Sequence, residues 1–400
     1  MAKFINLIVQ KTTLFVFRLI KPFLNYTDQL TFAGQNSTLQ LCQHIARMGY
    51  TRVLLVTDQM LFDLGMVEPL KNKLAEYKTE LFIYSGVLPD PSTDMINQGL
   101  EVFKQHQCDA VLVLGGGSSI DTGKGIAAAA THDGIEKIVG ILKLKKPPMP
   151  LFAIPTTAGT GSEVSIAAVI SDPQTHEKQF MADPSLIPSA VALDPTLMLG
   201  IPKQITAATG LDALTHAIET YIASNANRQV KEYSGAAVKL IFEHLPRAYQ
   251  DGSDIESREA MVLASYYAGL SINIASVGNV HAIAHQFGAL YGTPHGLANA
   301  IAMPPVLDRT VDHASASMAE LADLLELSSS ADSDRHKAKL FIDAVRHFIQ
   351  SLDIPEKLDS LKAEDIPSIA SKAVKESLQY PTPVLFSNSE MENILKKMLS

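Results

Sequence analysis

The sequence predicts an α/β N-terminal domain with a mainly parallel sheet, followed by an all-α C-terminal domain. Three observations support this fold class. The chain has 400 residues, of which 46% are hydrophobic and 19% are charged, enough for two packed cores. From Gln29 to about Asp194, short apolar runs alternate with helical stretches, a pattern typical of βα units. Beyond residue 195, long stretches rich in Ala, Leu and Ile follow helical spacing.

Four short apolar runs in the first half are candidate strands. They are Arg52–Thr57, Glu80–Tyr84, Ala110–Leu114 and Leu151–Ile154. Each is ended by turn residues, as expected for parallel strands that are buried on both faces. Ligands of open α/β sheets bind beyond the carboxyl ends of such strands, so the loops that follow these runs are where chemistry is expected.

The second half is expected to consist of helices separated by prolines and one polar linker. The separating prolines are Pro202, Pro246, Pro294, Pro304 and Pro305, and the linker spans residues 328–334. The chain is therefore divided into an N-terminal segment, residues 1–28, an α/β domain, residues 29–195, and a helical domain, residues 196–400.

The N-terminal segment is basic and amphipathic. Residues 1–27 contain Lys3, Lys11, Arg18 and Lys21, no acidic residue, and many large apolar side chains. They lack the ~20 consecutive apolar residues of a membrane span, and no cleavage site follows an apolar core as in a signal peptide. We expect the segment to pack on the body or on a neighbouring subunit; the alternative is peripheral contact with an anionic membrane surface.

Charge and cysteine content exclude several classes of protein. The chain has 33 Lys and Arg against 42 Asp and Glu, and the resulting net charge of −9 argues against nucleic acid as a partner. Its two cysteines, Cys42 and Cys108, are too few for a disulfide scaffold or a thiolate metal cluster. They fit a reducing compartment, so a cytoplasmic location is expected.

A glycine-rich loop follows the third candidate strand. Gly115–Gly117 and Ser118 stand between that strand and a helical stretch, where backbone N–H groups and a helix N-terminus favour a pyrophosphate. Ile120 occupies the third glycine position of the G-x-G-x-x-G pattern, and the acid expected about 20 residues downstream is absent. Asp58 lies at the end of a strand, as such an acid should, but it precedes the glycine-rich loop in the sequence. The alternative is a tight turn before an Ala-rich helix.

A second loop, residues 155–164, follows the fourth candidate strand and is dense in hydroxyls. The four hydroxyl side chains are those of Thr156, Thr157, Thr160 and Ser162. Hydroxyls and exposed N–H groups can hold phosphate oxygens, ribose hydroxyls or a carboxamide. A Ser/Thr capping segment is the alternative. The two loops are therefore candidate sites for the phosphate, ribose or carboxamide groups of a ligand.

Histidines at helical spacing form a candidate metal site in the helical domain. Asp212 and His216 are four residues apart, as are His281 and His285, which places each pair on one face of a helix. His295 follows after a turn that could fold it back toward them. Nitrogen and oxygen ligands without sulfur suit Fe²⁺ or Zn²⁺. Spacing does not choose between His281 and His285.

The surroundings of these histidines strengthen the metal interpretation. Between Glu259 and Asp308 the chain has three histidines and no Lys, Arg, Asp or Glu. Burying imidazoles in so apolar a stretch is costly unless a partner satisfies them, and a metal ion does so directly. A single histidine on an Ala-rich helix would more often be a core residue.

These motifs resemble those of the iron-containing, group III alcohol dehydrogenases, which have the dehydroquinate synthase-like fold. The resemblance covers residues 30–310. It depends on GGGS at 115–118 with Asp121, on PTTAGTGSEV at 155–164, on GLDALTHAIE at 210–219, and on His281-x3-His285 with PHG at 294–296.

The resemblance implies which residues bind the metal and the cofactor. The implied metal ligands are Asp212, His216, His281 and His295, with His285 near the substrate. The implied cofactor-binding residues are Asp58 for the adenosine ribose; Gly116, Gly117 and Ser118 for the pyrophosphate, with Asp121 in the same motif; Thr156, Thr157, Thr160 and Ser162 for the nicotinamide half; and Lys178 for a ribose hydroxyl. A carboxylate at Asp58 accepts from a 2′-hydroxyl and repels a 2′-phosphate, so NAD is favoured over NADP.

The activity implied is reversible hydride transfer between NAD(H) and a small neutral alcohol or aldehyde. The metal, Fe²⁺ or alternatively Zn²⁺, would act as Lewis acid, and His285 would pass the alcohol proton on. Family resemblance also suggests a homo-oligomer, a dimer or larger. The alternatives are a glycerol or polyol dehydrogenase, an enzyme of the maleylacetate reductase type, or a non-catalytic scaffold that binds NAD or metal at a membrane.

Overall fold

The structure is a computed structural model that describes Gln10, Thr12 and residues 28–132, 134–171 and 178–400. These residues form two compact units, and the chain passes from one to the other between Gly200 and Ile201. The basic segment expected at residues 1–28 lies outside the described residues, apart from Gln10, Thr12 and Asp28.

Among its described residues, the α/β unit has nine strands in two sheets. They are β1 (Leu30–Ala33), β2 (Arg52–Asp58), β3 (Glu80–Val87), β4 (Ala110–Gly115), β5 (Gly140–Ile141), β6 (Leu151–Pro155), β7 (Ala167–Ser171), β8 (Lys178–Ala182) and β9 (Ala190–Leu193). The larger sheet has the order β1-β9-β6-β4-β2-β3, and its strand pairs are parallel. The four predicted strands are confirmed as β2, β3, β4 and β6.

Five of these strands were not predicted from the sequence. β1 and β9 are only four residues long, and β5, β8 and β7 form a small second sheet in which β7 and β8 are antiparallel. β7 and β8 are half-buried along most of their length. Short or half-exposed strands lack the continuous apolar run that marks a central strand, so their sequence signal is weak.

Helices follow the strands of the larger sheet, as βα units require. They are α1 (Ser37–Arg47), α2 (Gln59–Asp63), α3 (Glu68–Ala75), α4 (Thr93–Gln105) and α5 (Gly117–Ala129). The core between them and the sheet contains fully buried Leu41, Leu55, Leu74 and Leu112. α5 begins directly after the glycine loop, with Gly116 as its N-cap, so the loop lies at the carboxyl end of the central strand β4.

The regular elements of residues 201–400, all of which are described, are helices. They are α6 (Lys203–Tyr221), α7 (Arg228–Gln250), α8 (Ile255–Ala275), α9 (Asn279–Tyr291), α10 (His295–Leu324), α11 (Asp334–Gln350), α12 (Ile366–Ser377) and α13 (Asn388–Lys396). The predicted α/β and all-α fold class is confirmed. No single helix of the described residues is long and apolar enough to cross a membrane; α8 and α9 pass that test only as a pair bent by 105°.

Two of the expected proline boundaries are correct and two are wrong. Pro202 and Pro294 are the N-caps of α6 and α10, but Pro246 lies inside α7, and residues 304–305 lie inside α10. Each proline inside a helix destabilises that helix by about 3 kcal/mol. Around residues 304–305, Met303, Val306 and Leu307 are buried, and burying such side chains contributes roughly 1.5–3 kcal/mol each, which keeps the helix intact. The local backbone break of α10 lies further on, at Ala314.

Candidate active site

Four side chains from three helices converge in the helical unit. Asp212 and His216 belong to α6, His281 to α9, and His295 is the first residue of α10. One ligand atom from each lies within 4.8 Å of the others. Three of the side chains are buried and His295 is half-buried. The structure thus brings together the four residues that the family resemblance implies as ligands, and His285 lies outside this group.

The turn between α9 and α10 returns His295 toward His281. Gly292 ends α9 with a φ of 64°, in the left-handed region that glycine adopts without strain, and Pro294 starts the next helix. The ring centroids of His281 and His295 are 5.3 Å apart, and Nε2 of His295 lies 3.4 Å from Oδ1 of Asp212.

A backbone contact sets the distance between α6 and α10. A Cβ atom at Gly296 would lie 2.1 Å from the carbonyl oxygen of Ala208, so only glycine fits there. The side-chain-free contact lets the start of α10 approach α6 closely. The third residue of the PHG motif therefore follows from packing, and the packing holds His295 beside Asp212.

Glu219, three residues after His216 on α6, holds the ring of His281. Its buried carboxylate accepts hydrogen bonds from the N–H groups of Gly278 at 2.7 Å and Val280 at 2.6 Å, and from Nδ1 of His281 at 2.6 Å. Burial raises the pKa of Glu219 to about 8, and hydrogen bonds from the backbone N–H groups of Val280, Gly278 and His281 oppose that rise. Because Nδ1 of His281 is held by Glu219, its Nε2 is left to face Asp212, 3.9 Å away.

Burial also decides the charge state of His281. It lowers the pKa of His281 well below the ordinary value, and the neighbouring imidazoles of His216, His295 and His285 lower it further. The ring of His216 stacks on that of His281 with centroids 4.6 Å apart. A neutral imidazole has a lone pair free for a cation, so these shifts favour metal binding.

Asn299, one turn after His295, completes the polar contacts of the cluster. Its Nδ2 donates to Oδ1 of Asp212 at 2.7 Å and lies 3.2 Å from Nε2 of both His281 and His295. Among the described residues, its buried Oδ1 has no hydrogen-bond partner. Three imidazole nitrogens and one carboxylate oxygen, without sulfur, are a donor set that fits Fe²⁺ or Zn²⁺.

Nδ1 of His285 contacts an acid that does not belong to the cluster. That nitrogen lies 2.5 Å from Oε1 of Glu376 on α12, while the His285 ring stacks on His295 with centroids 5.3 Å apart. The structure thus separates the positions of His281 and His285, which spacing left open. Glu219 and Glu376 were both missed as site residues. An acid on the apolar helix α6 was a signal for Glu219, but nothing local marks Glu376.

In the α/β unit, the glycine-rich loop, residues 115–118, contacts the hydroxyl-rich loop, residues 155–164. A Cβ atom at Gly117 would lie 2.7 Å from Cγ2 of Thr160, and one at Gly116 would lie 3.2 Å from Oγ1 of Thr157. Gly116, Gly117 and Ser118 are half-buried, as are Thr157 and Thr160, whereas Thr156 is buried. Gly116 and Gly117, which have no side chains, let the second loop pack closely on the first. Gly116, Gly117 and Ser118 form a glycine cradle at the N-terminus of α5, where an anion would be favoured.

A side-chain hydrogen bond between Asp121 and Ser162 connects the two loops. Oγ of Ser162 donates to Oδ1 of Asp121 at 2.5 Å, and the N–H of Val169 donates to Oδ2 at 2.9 Å. The fully buried Lys124 donates to Oγ of Ser162 at 3.2 Å and to the carbonyl of Ala167 at 2.7 Å. Burial lowers the pKa of Lys124 to about 8. The side chains of Asp121 and Ser162 are thus engaged with each other and with neighbouring groups of the loops.

The remaining predicted residues have defined partners. Asp58 ends β2 and caps α2, accepting from the N–H of Leu61 at 2.9 Å. Lys178 pairs with Asp90 at 3.0 Å. Arg228 at the start of α7, which is not among the predicted site residues, has 92% of its side chain exposed and pairs with Glu232, four residues away.

A parallel α/β unit with a glycine cradle and a helical unit with a buried cluster of three histidines and one aspartate define a class of protein: metal-dependent, nucleotide-linked dehydrogenases. Comparison with known proteins specifies this further. The profile "Iron-containing alcohol dehydrogenase" matches residues 29–195, and "Fe-containing alcohol dehydrogenase family, C-terminal" matches residues 206–399.

Named relatives and solved structures are similar over nearly their whole length. The chain is 35% identical to NAD-dependent methanol dehydrogenase of Bacillus methanolicus, covering 92% of this chain and 97% of that one. It is 36% identical to 1,3-propanediol dehydrogenase of Citrobacter freundii, covering 92% and 96%. A crystal structure of 1,3-propanediol oxidoreductase superposes with a TM-score of 0.91 at 36% identity, covering 94% of this chain and 100% of that chain.

The chain belongs to the iron-containing alcohol dehydrogenase family. It is therefore an oxidoreductase that acts on CH–OH groups with NAD and a divalent metal, typically Fe²⁺ in this family. The resemblance inferred from the sequence motifs, and the activity and cofactors that it implied, are confirmed.

Proposed function

We propose that this protein interconverts a small neutral alcohol and its aldehyde, with residues 29–195 binding NAD and residues 196–400 binding the metal. The observation that carries the proposal is the convergence of Asp212, His216, His281 and His295 within 4.8 Å, three of them buried. The names of the relatives, methanol dehydrogenase and 1,3-propanediol dehydrogenase, agree with a small uncharged substrate.

In the helical unit, Asp212, His216, His281 and His295 would hold the divalent ion. The ion supplies Lewis-acid polarisation of an alcohol oxygen. Glu219 fixes His281 with Nε2 toward the site, and Asn299 fixes the carboxylate of Asp212. His285, outside the ligand group, would take the proton that the alcohol gives up as hydride leaves its carbon.

In the α/β unit, the cradle of Gly116, Gly117 and Ser118 would hold the pyrophosphate of NAD, which supplies the hydride acceptor. Thr157 and Thr160, half-buried beside the cradle, would contact the nicotinamide half together with Thr156. Asp58 would accept from the adenosine ribose and Lys178 would contact a ribose hydroxyl. Asp121 and Ser162 would serve the cofactor by holding the two loops together.

A neutral substrate is favoured by the charges near the site. Glu219 contacts His281, and Glu376 contacts His285. The 48 residues between Glu259 and Asp308 include no cation, and Arg228 is occupied by Glu232 at the surface. A carboxylate or phosphate on the substrate normally requires Arg or Lys partners, so an enzyme of the maleylacetate reductase type is disfavoured. Glycerol or another polyol is the nearest alternative substrate.

Assembly and location complete the proposal: a homo-oligomer, a dimer or larger, in the cytoplasm. The family resemblance described above is what supports the oligomer. Gln10 donates to the Tyr380 carbonyl at 2.7 Å and to Oγ1 of Thr382 at 3.1 Å, which favours contact of this one position of the N-terminal segment with the protein. Analytical ultracentrifugation and sedimentation with anionic vesicles test both statements.

The deciding experiment is reconstitution. Protein stripped of metal is reloaded without oxygen with Fe²⁺ or Zn²⁺, and NADH formation is followed with methanol, ethanol, 1-propanol, 1,3-propanediol and glycerol. Lactate serves as the anionic comparison. Metal-dependent turnover of the neutral alcohols is expected. Absence of metal-dependent turnover, or a preference for the anionic substrate, would contradict the proposal.

A further inference from the structure

Glu376 forms a second carboxylate–imidazole pair beside the metal cluster, and the proposed activity so far leaves it without a role. Its side chain is 17% exposed, and that of His285 is 12% exposed. Oε1 of Glu376 lies 2.5 Å from Nδ1 of His285. The contact joins α9 to α12 across 91 residues of sequence.

Two further donors fix the carboxylate in place. Nε2 of Gln286 donates to Oε2 of Glu376 at 2.7 Å, and the hydroxyl of Tyr380 donates to Oε1 at 2.7 Å. Burial and the charge of Glu376 raise the pKa of Tyr380 well above its ordinary value, so Tyr380 keeps its proton and acts as a donor. Both carboxylate oxygens are thus occupied by groups that leave Glu376 with one orientation.

The Tyr380 end of this network is itself anchored. The Tyr380 carbonyl accepts from Gln10, the Pro381 carbonyl accepts from the N–H of Ser224 at 2.8 Å, and Asn279 donates to the Val384 carbonyl at 3.0 Å. The segment that holds Glu376 is therefore tied to the end of α6 and to the start of α9, the helices that carry the metal cluster.

We propose that Glu376 is a positioning residue that holds His285 in the tautomer with the proton on Nδ1. Gln286 and Tyr380 donate to the two oxygens of the Glu376 side chain, which therefore acts as the acceptor, and the His285 nitrogen that faces Oε1 donates to it and carries the proton. The lone pair of His285 then lies on Nε2, the atom turned away from Glu376. This inference rests on the proposed function, in which His285 receives the alcohol proton.

The proton balance of the step is complete. In alcohol oxidation the C–H bond breaks as hydride, which adds to NAD⁺ and gives NADH, while the O–H proton is released. Nε2 of His285 accepts that proton and later gives it to solvent, while the Nδ1 proton stays on the hydrogen bond to Glu376. With the opposite tautomer, Nε2 would already carry a proton and could not accept one.

The test compares Glu376→Ala, Glu376→Asp and a matched control in the metal-loaded full-length enzyme. Asp365 is that control, because it accepts from the Tyr291 hydroxyl at 2.7 Å and so also joins α9 to the region of α12. Single-turnover NADH formation is expected to fall 10–100-fold in Glu376→Ala. Glu376→Asp should recover part of this loss, and Asp365→Ala should stay within about twofold of the wild type. Metal content and NADH affinity should be unchanged in all three.

A spectroscopic measurement reads the tautomer directly. In the Zn²⁺-loaded protein, ¹⁵N NMR should show the Nδ1 proton of His285 in the wild type and in Glu376→Asp, and a mixture of tautomers in Glu376→Ala. The inference is overturned if the tautomer is unchanged in Glu376→Ala, or if its single-turnover rate stays within twofold of the wild type. A wild-type enzyme without alcohol turnover would instead overturn the proposed function, and the NMR result would still decide the role of Glu376.

Discussion

Glu219 accepts a hydrogen bond from Nδ1 of His281 at 2.6 Å, and both side chains are at least 96% buried. The acid therefore sets the orientation of one metal-site imidazole without reaching the metal site itself. Glu219→Gln replaces one acceptor oxygen with an NH2 group, which cannot accept a hydrogen bond, and is expected to weaken metal affinity 10–100-fold, a typical cost of losing a partner behind a ligand. Competition with a chromogenic chelator measures this. Glu232→Gln, at an exposed pair on α7, is the control, and equal affinities in the two variants would contradict the prediction.

The two histidines of α9 are expected to differ in what their loss removes. His281→Ala should lose metal, because its Nε2 belongs to the ligand group, whereas His285→Ala should keep metal and form NADH more slowly. Metal content by mass spectrometry and single-turnover rates on the reloaded proteins separate the two roles. Equal metal loss in both variants would refute this assignment.

Gly296→Ala tests the backbone contact between α6 and α10. The new Cβ would lie 2.1 Å from the Ala208 carbonyl oxygen, and backbone cannot yield as a flexible side chain does. We expect a loss of about 3 kcal/mol in the free energy of unfolding, together with weaker metal binding. Gly292→Asn is the control, since that position is open and Asn tolerates its positive φ; it should cost about 1 kcal/mol or less. Similar costs in urea unfolding would disprove the packing explanation.

Asp58→Asn tests the choice of cofactor. Asn keeps the oxygen that caps α2 through the N–H of Leu61, and it removes the negative charge that repels a 2′-phosphate. The ratio of kcat/KM for NADP to that for NAD should therefore rise at least tenfold, with the thermal midpoint nearly unchanged. A ratio equal to that of the wild type would show that another residue excludes NADP.

Lys124 should make stability depend on pH. Its pKa is lowered to about 8 in the folded protein, against 10.5 as the ordinary value, so between these pH values the unfolded chain binds more protons. The contribution of Lys124 to stability is then fully present above pH 10.5 and is lost as the pH falls through 8. Relative to Lys124→Met, the wild type should gain about 3 kcal/mol from pH 7 to above pH 10.5. Urea unfolding followed by circular dichroism measures this difference, and a constant difference would rule out the shift.

Central strands and motif loops were predictable because their signals are local. β2, β3, β4 and β6 are continuous apolar runs, and the loops after β4 and β6 have unusual composition. The helix ends predicted at Pro246 and at residues 304–305 were wrong. The rule that proline ends a helix uses only local sequence, whereas burial of the flanking side chains is a tertiary effect.

The site was predictable only as far as spacing and motif reach. His281 and His285 have the same four-residue relation, and only their partners distinguish them: Glu219 for one and Glu376 for the other. Glu376 follows His285 by 91 residues in an ordinary amphipathic helix, so its role depends entirely on how α12 packs on α9. Likewise, the motif residues Asp121 and Ser162 could be identified from the sequence, but not the bond between them.

All four candidate ligand atoms belong to residues 201–400, so a bound ion crosslinks three helices of one unit. An ion that binds only the native state adds about 4 kcal/mol to stability at a free concentration 1,000 times its Kd. Metal-starved cells would therefore hold a chain that opens more often within its helical half and reaches proteases sooner. Metal supply would thus govern the lifetime of the polypeptide as well as its turnover of substrate.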